Sequence, residues 1–201
     1  MDRSQPKEAL EFARKRGIFT AAEAARHGIH SQILTRLIRD GSVERVARGQ
    51  YYFSGQPVSE HHTLAIVARA VPGGVVCLLS ALSVHGIGTQ VPAQVWLAIR
   101  RQARRPSVQY PPLRIVKFSG KAFTEGIEIH QIERQPVRVY GVAKTLADLF
   151  KYRNKVGLEV ALEALRESWR ERRFSMDDLD RYTRICRVER VMAPYIEALV
   201  A

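Results

Sequence analysis

Arginines, glutamines and a threonine at helical spacing are the residues of this 201-residue chain whose types and positions could do chemistry. From Ser31 to Asp40, Leu34, Leu37 and Ile38 fall on one helical face with Ile33 at its flank, and Gln32, Thr35, Arg36 and Arg39 fall on the other. Amide and guanidinium groups presented this way pair with base edges in a DNA major groove or with phosphates. A few residues later Arg45, Arg48 and Gln50 surround a Gly49 turn, where a guanidinium can meet a phosphate or enter a narrow minor groove. Ser31, Gln32, Thr35, Arg36, Arg39, Arg45, Arg48 and Gln50 are therefore the expected DNA-binding set. Gln32 and Arg36 are the expected base contacts, because the first half of such a helix reaches furthest into the groove, and Arg39 is expected on the backbone. Arg100, Arg101, Arg104 and Arg105 form a second basic patch before Pro106. It could hold more DNA backbone, an RNA or an acidic protein, although charge runs of this kind are usually solvated loops.

Other chemistries find less support. His61 and His62 are neighbours on one predicted helix and point apart, and His27, His30, His85 and His130 read as structural, so no metal or other cofactor is expected. Ser80, Ser83 and His85 lack the GxSxG frame of a nucleophile elbow. Asp148 stands one helical turn after Lys144 and reads as an ion-pair partner of Lys144 or Lys151 rather than a catalytic acid. Glu125, Glu128 and Glu133 lack the adjoining lysine pattern of a metal-dependent nuclease. The catalytic set is empty, and the chain is not expected to be an enzyme. Cys77 and Cys186, the two cysteines, are too far apart in sequence for a CxxC motif and read as small core residues.

Helices and a hairpin must position the DNA-facing residues. Pro6 to Arg16 reads as a helix stopped by Gly17. Thr20-Ala-Ala-Glu23 has the form of a capping box and opens a short helix to about His27. Gly28 suits the left-handed position after it, and Ser31 reads as the N-cap of the next helix, which ends before Gly41. After Gly41 the period changes to two. Val43, Arg45 and Val46 form one strand and Gln50 to Phe53 its partner, one tyrosine of Tyr51 and Tyr52 facing the core and the other outward. Helix, helix, turn, helix and hairpin in about 55 residues is the order of a winged helix-turn-helix. Residues 1–56 are thus expected to be a DNA-binding domain, and 57–201 a larger α+β domain with a small sheet and a helical C-terminal end.

In that second part Ser59 reads as a helix cap, and Pro72-Gly73-Gly74 breaks the chain before an apolar stretch to Leu79. Ser80 to His85 reads as a short helix ended by Gly86. Strands are expected at Val95 to Ile99, Leu113 to Phe118, Ile127 to Ile132 and Val137 to Tyr140. Helices follow from Val142 to Tyr152, from Leu158 to Arg173 with a buried stripe of Leu158, Leu162, Leu165 and Trp169, and over most of Met176 to Val200, with Ser175 as a start signal. The 32 basic against 20 acidic residues leave a net charge of +12, spread as +4, +5 and +3 over residues 1–58, 59–136 and 137–201. A polyanion partner would have to be met by folded elements, since there is no basic tail. With 46% hydrophobic residues, general disorder is excluded. No apolar run of about 18 residues and no signal-peptide core is present, so a cytoplasmic location is expected.

Phe19-Thr20-x-x-Glu23-Ala24-x-x-x-Gly28-Ile29, Leu34-x-x-Leu37 and Gly41-x-Val43-x-Arg45-Val46-x-Arg48-Gly49-x-Tyr51 resemble the winged helix-turn-helix of AbiEi-type antitoxins of type IV toxin–antitoxin systems. Ser80-Ala-Leu82-x-x-His85-Gly86, Pro92, the run from Val137 through Lys144-Thr145-Leu146-x-Asp148-Leu149, and Pro194-Tyr195 are similar to that family's C-terminal domain. The resemblance implies a repressor that binds inverted repeats in double-stranded DNA upstream of its own operon and counteracts a nucleotidyltransferase toxin, without assuring a direct complex. It also implies that Arg45 and Arg48 are wing residues. Gln50 departs from the small or apolar residue that often follows Arg-Gly there. An orphan winged-helix regulator with a sensor domain and a nucleic-acid-processing enzyme are the alternatives.

Overall fold

A computed structural model describes residues 4–200. The elements run α1 (Ser4–Arg16), β1 (Ile18–Thr20), α2 (Ala21–Arg26), α3 (Ser31–Arg39), β2 (Val43–Ala47), β3 (Gln50–Phe53) and α4 (His62–Ala70). They continue with β4 (Val75–Val76), α5 (Leu78–His85), β5 (Val95–Arg100), β6 (Leu113–Phe118), α6 (Lys121–Thr124), β7 (Ile127–Ile132) and β8 (Gln135–Tyr140). The end is helical: α7 (Val142–Lys151), α8 (Arg153–Val156), α9 (Leu158–Arg170), α10 (Met176–Cys186) and α11 (Glu189–Val200). Mixed α and β elements with two sheets make this an α+β protein. Among the described residues no helix is long and apolar enough to cross a membrane.

The first compact unit comprises residues up to Pro72 together with 107–111 and 131–137. Thr20 and Glu23 form the capping box that starts α2: the Thr20 hydroxyl accepts from the Glu23 N–H at 3.2 Å, and the Glu23 carboxylate accepts from the Thr20 N–H at 2.8 Å. Gly28 takes a positive φ of 77°, as the left-handed exit requires. The cap of α3 differs from the expected one. His30 is the N-cap, without a side-chain bond, and Ser31 is already the first helical residue. The three strands lie in the order β1-β3-β2, so Ile18 to Thr20, which carried no strand signal, adds a third strand to the hairpin. Ala9, Ala13, Phe19, Ala24, Ile29, Leu34, Leu37 and Val43 close one core beneath it.

The unit does not end at residue 56. Gln135 donates to the Arg16 carbonyl at 3.0 Å, and Arg134 donates to the carbonyls of Arg14 and Lys15 at 2.8 and 3.0 Å. Residues 131–137 thereby satisfy the carbonyls at the end of α1, which a helix leaves without internal partners. Ser59 does not cap a helix either. Its N–H and hydroxyl both donate to Glu133, at 2.8 and 2.9 Å, and α4 starts only at His62.

The second unit holds residues 73–106, 112–130 and 138–200. Its sheet has the order β6-β5-β4-β8-β7, with β5 parallel to β6, β4 antiparallel to β5 and β4 parallel to β8. Every residue of α7 after Val142, except its last, is buried, and the core also gathers Trp96, Phe118, Phe123, Tyr140 and Leu179. On α9 the buried line is Ala161, Ala164, Leu165 and Ser168, while Leu158, Leu162 and Trp169 flank it half-buried. Small side chains at the centre permit close approach, which a stripe chosen by hydrophobicity alone misplaces by a fraction of a turn. The last helical stretch is two helices, broken at Arg187, whose φ is 59°. Ser175 caps α10 by accepting from the Asp178 N–H.

Candidate nucleic-acid interface

Helix α3 owes its orientation to Leu34 and Leu37, 5% and 3% exposed, which bury one face against α1, α2 and β2. The opposite face is therefore turned out, and Ser31, Gln32, Thr35, Arg36 and Arg39 are all exposed. The Thr35 hydroxyl donates to the Ser31 carbonyl one turn back at 2.9 Å, leaving its lone pairs as acceptors. At the end of α3, the Ser42 hydroxyl and the Ser42 N–H, the latter at 3.0 Å, both donate to Asp40, and these bonds, with Arg36 and Arg39 nearby, hold its carboxyl below the usual range.

The β2–β3 hairpin presents Arg45 and Arg48, both exposed. Its tip turns at Gly49, where φ is 73°, and the strands slip register between Arg45 and Ala47. Tyr52 is the inward tyrosine, 3% exposed, with its hydroxyl donating to the Gln56 and Pro57 carbonyls; Tyr51 is half-buried. Among the described residues no carboxylate forms an ion pair with Arg36, Arg39, Arg45 or Arg48. Glu23 binds Arg69 and Arg16, with side-chain exposures of 13% for Glu23 and 17% for Arg69. Burial raises the Glu23 carboxyl, but bonds from Arg69 and from the Thr20 N–H and hydroxyl outweigh it and lower the pKa to about 2.

Gln50 does not belong to the exposed set. It is 6% exposed and donates its amide to the Ile66 carbonyl at 3.4 Å, because its position in β3 faces inward toward α4. A cleft of about 540 Å³ opens beside the wing, bordered by Arg45, Arg48 and the segment from Ser107 to Tyr110. Nothing local in the sequence points to that segment as a neighbour of the wing.

In the second unit Arg101, Arg104 and Arg105 are exposed on the loop after β5, while Arg100, also exposed, has its guanidinium over the Phe123 ring at 5.1 Å. Asp148 lies inside the core, 1% exposed, paired with Lys144 and accepting from the Cys186 thiol at 3.2 Å. Burial pushes the Asp148 carboxyl up, with Lys144 and Cys186 opposing, and pushes the Cys186 thiol up to about 12. Both cysteines are buried and free. Asp148 meets neither Glu128 nor Glu133. His85, Glu128 and His130, which no motif links in the sequence, come together instead.

Residues 7–54 match the family model described as "Transcriptional regulator, AbiEi antitoxin". No curated protein sequence matches the chain. In fold the chain is similar to the crystal structure of the RV2827C protein from Mycobacterium tuberculosis, at a TM-score of 0.61 and 14% identity, over 90% of this chain and 72% of that one. Over residues 7–54, which hold α2, α3 and the β2–β3 hairpin, the chain is therefore similar to that family of transcriptional regulators.

Proposed function

We propose that the protein is a sequence-specific repressor that serves as the antitoxin of a type IV toxin–antitoxin system, autoregulating its operon and counteracting a nucleotidyltransferase toxin. One observation carries the reading. Arg36 and Arg39 on α3 and Arg45 and Arg48 on the wing are exposed within a single compact unit, with no acid pairing them among the described residues. Cations left unpaired on a helix and a hairpin suit a duplex, the helix reading base edges and the wing holding backbone. The exposed Arg101, Arg104 and Arg105 supply a second cationic surface for backbone or for a partner. The enzyme alternative loses its best acid, since Asp148 is sealed in the core by Lys144 and Cys186.

A gel-shift titration of the full chain against the DNA upstream of its own gene tests this. Specific binding should be about 10³-fold or more tighter than to scrambled duplex and should weaken as salt rises. Equal affinity for both duplexes would remove the repressor reading. A nucleotidyltransferase toxin should be encoded beside it, and co-expression should relieve that toxin's growth arrest; continued arrest would remove the antitoxin role.

A further inference from the structure

Strand β7 places Glu128 and His130 two residues apart, so their side chains leave the same face of the strand. His85 ends helix α5. One ligand atom from each of the three lies within 4.8 Å of the others. The closest pair, His130 Nε2 and Glu128 Oε2, is 3.2 Å apart. Ligands at zinc distances of about 2.0–2.2 Å in a tetrahedron are about 3.3 Å from one another. That pair therefore already has zinc-ligand spacing, and a shift of about 1.5 Å closes the widest separation consistent with the 4.8 Å limit. With side-chain exposures of 30% for His130 and 54% for Glu128, both can turn to make it.

Two features orient the set. His85 Nε2 lies 2.8 Å from the Tyr140 carbonyl oxygen, so the neutral ring donates there and keeps Nδ1 as a bare lone pair. Ligating histidines are oriented in this way, with the second ring nitrogen donating to a backbone carbonyl or carboxylate. Position 141 is glycine, and a Cβ there would fall 2.3 Å from Glu128 Oε1 and 3.0 Å from its carboxyl carbon. The carboxylate thus occupies space that any side chain at 141 would take. The carbonyl end of α5 also favours a cation. The nearby positive group is Arg173, whose guanidinium donates to the His85 carbonyl at 2.8 Å and pairs with Glu171. Glu128 supplies the opposing charge.

We propose that His85, Glu128 and His130 bind a divalent transition-metal ion, Zn²⁺ by the chemistry of two imidazoles and one carboxylate, with a fourth position open to water. The ion ties the end of α5 to strand β7 inside the second unit. The site is independent of the DNA-facing arginines.

Calorimetry of tag-free full-length protein with Zn²⁺ tests it. One equivalent should bind, and His130→Ala and Glu128→Gln should each weaken binding by more than about 100-fold, beyond the 10–100-fold cost of losing a mere orienting partner. His61→Ala should leave binding unchanged. Zn²⁺ should raise the melting temperature of the wild type and not of His130→Ala. Binding that survives both ligand substitutions, or no binding by the wild type, overturns the proposal. Should either variant fold poorly, the wild-type Co²⁺ spectrum decides: a four-coordinate nitrogen–oxygen signature supports the site, and an octahedral, water-like one overturns it.

Discussion

Helix α3 with its wing, in the first unit, and helix α7, in the second, treat charge in opposite ways. In the first, Arg36, Arg39, Arg45 and Arg48 stand in water on α3 and the wing. In the second, Lys144 is 0% exposed and Asp148 1%, on one turn of α7, with the ammonium over the rings of Tyr140 and Phe118 at 4.2 and 4.8 Å. Glu23–Arg69 lies between, part-buried at the start of α2. Exposed cations contribute little to folding because water already solvates them, so they are free to serve a partner. A buried pair cannot be released to a partner, and losing one member strands the other charge in a medium that solvates it poorly. Exposure therefore separates charges that bind from charges that hold the fold.

The sharpest way to break this contrast is Lys144→Met. It leaves the Asp148 carboxylate alone in the core and should destabilise the protein by about 3–5 kcal/mol in urea unfolding, while Lys144→Met with Asp148→Leu should recover most of that loss. A single variant as stable as wild type would mean the pair is not sealed. Glu23 should give the next largest effect. Its pKa of about 2 lies below the ordinary 4.5, so it stabilises above pH 4.5, and that contribution fades as pH falls toward 2. Glu23→Gln should lower stability at pH 7 by about 2–3 kcal/mol and flatten the acid limb of a stability–pH profile.

The exposed arginines should behave in reverse. Arg36→Ala should cost about 1–3 kcal/mol of operator binding while shifting urea unfolding by less than about 0.5 kcal/mol. A large stability loss would place Arg36 with the structural charges. The smallest effect belongs to Arg48→Ala, expected to weaken binding to all duplexes alike and to reduce the salt slope by about 0.9, as one lost phosphate contact does. Base-pair-specific loss at Arg48 would instead give the wing a reading role.

Much of the first unit was legible because its signals are local. The capping box of Thr20 and Glu23, the left-handed Gly28 and the Leu34–Leu37 face each operate within about one helical turn, so their physics is complete in a short window. Beside Arg48 and Gly49, Gln50 reads as part of a solvated tip, whereas strand alternation turns it toward the Ile66 carbonyl. The stripe on α9 was misplaced for a related reason: hydrophobicity ranks Leu162 and Trp169 above Ala161 and Ala164, and close packing prefers the small residues.

The sequence by itself determined the helix–turn–helix–hairpin order, the outward face of α3, and an ion pair for Asp148 with Lys144 or Lys151, because caps, periods and turns act between residues a few positions from one another; the structure chose Lys144. Tertiary structure alone decided that Gln135 and Arg134 close the end of α1, that the segment 107–111 joins the wing's unit, and that His85 meets Glu128 and His130. Those partners are separated by some 40 to 120 positions. Only the strand order brings them together, and no local propensity encodes such a distance.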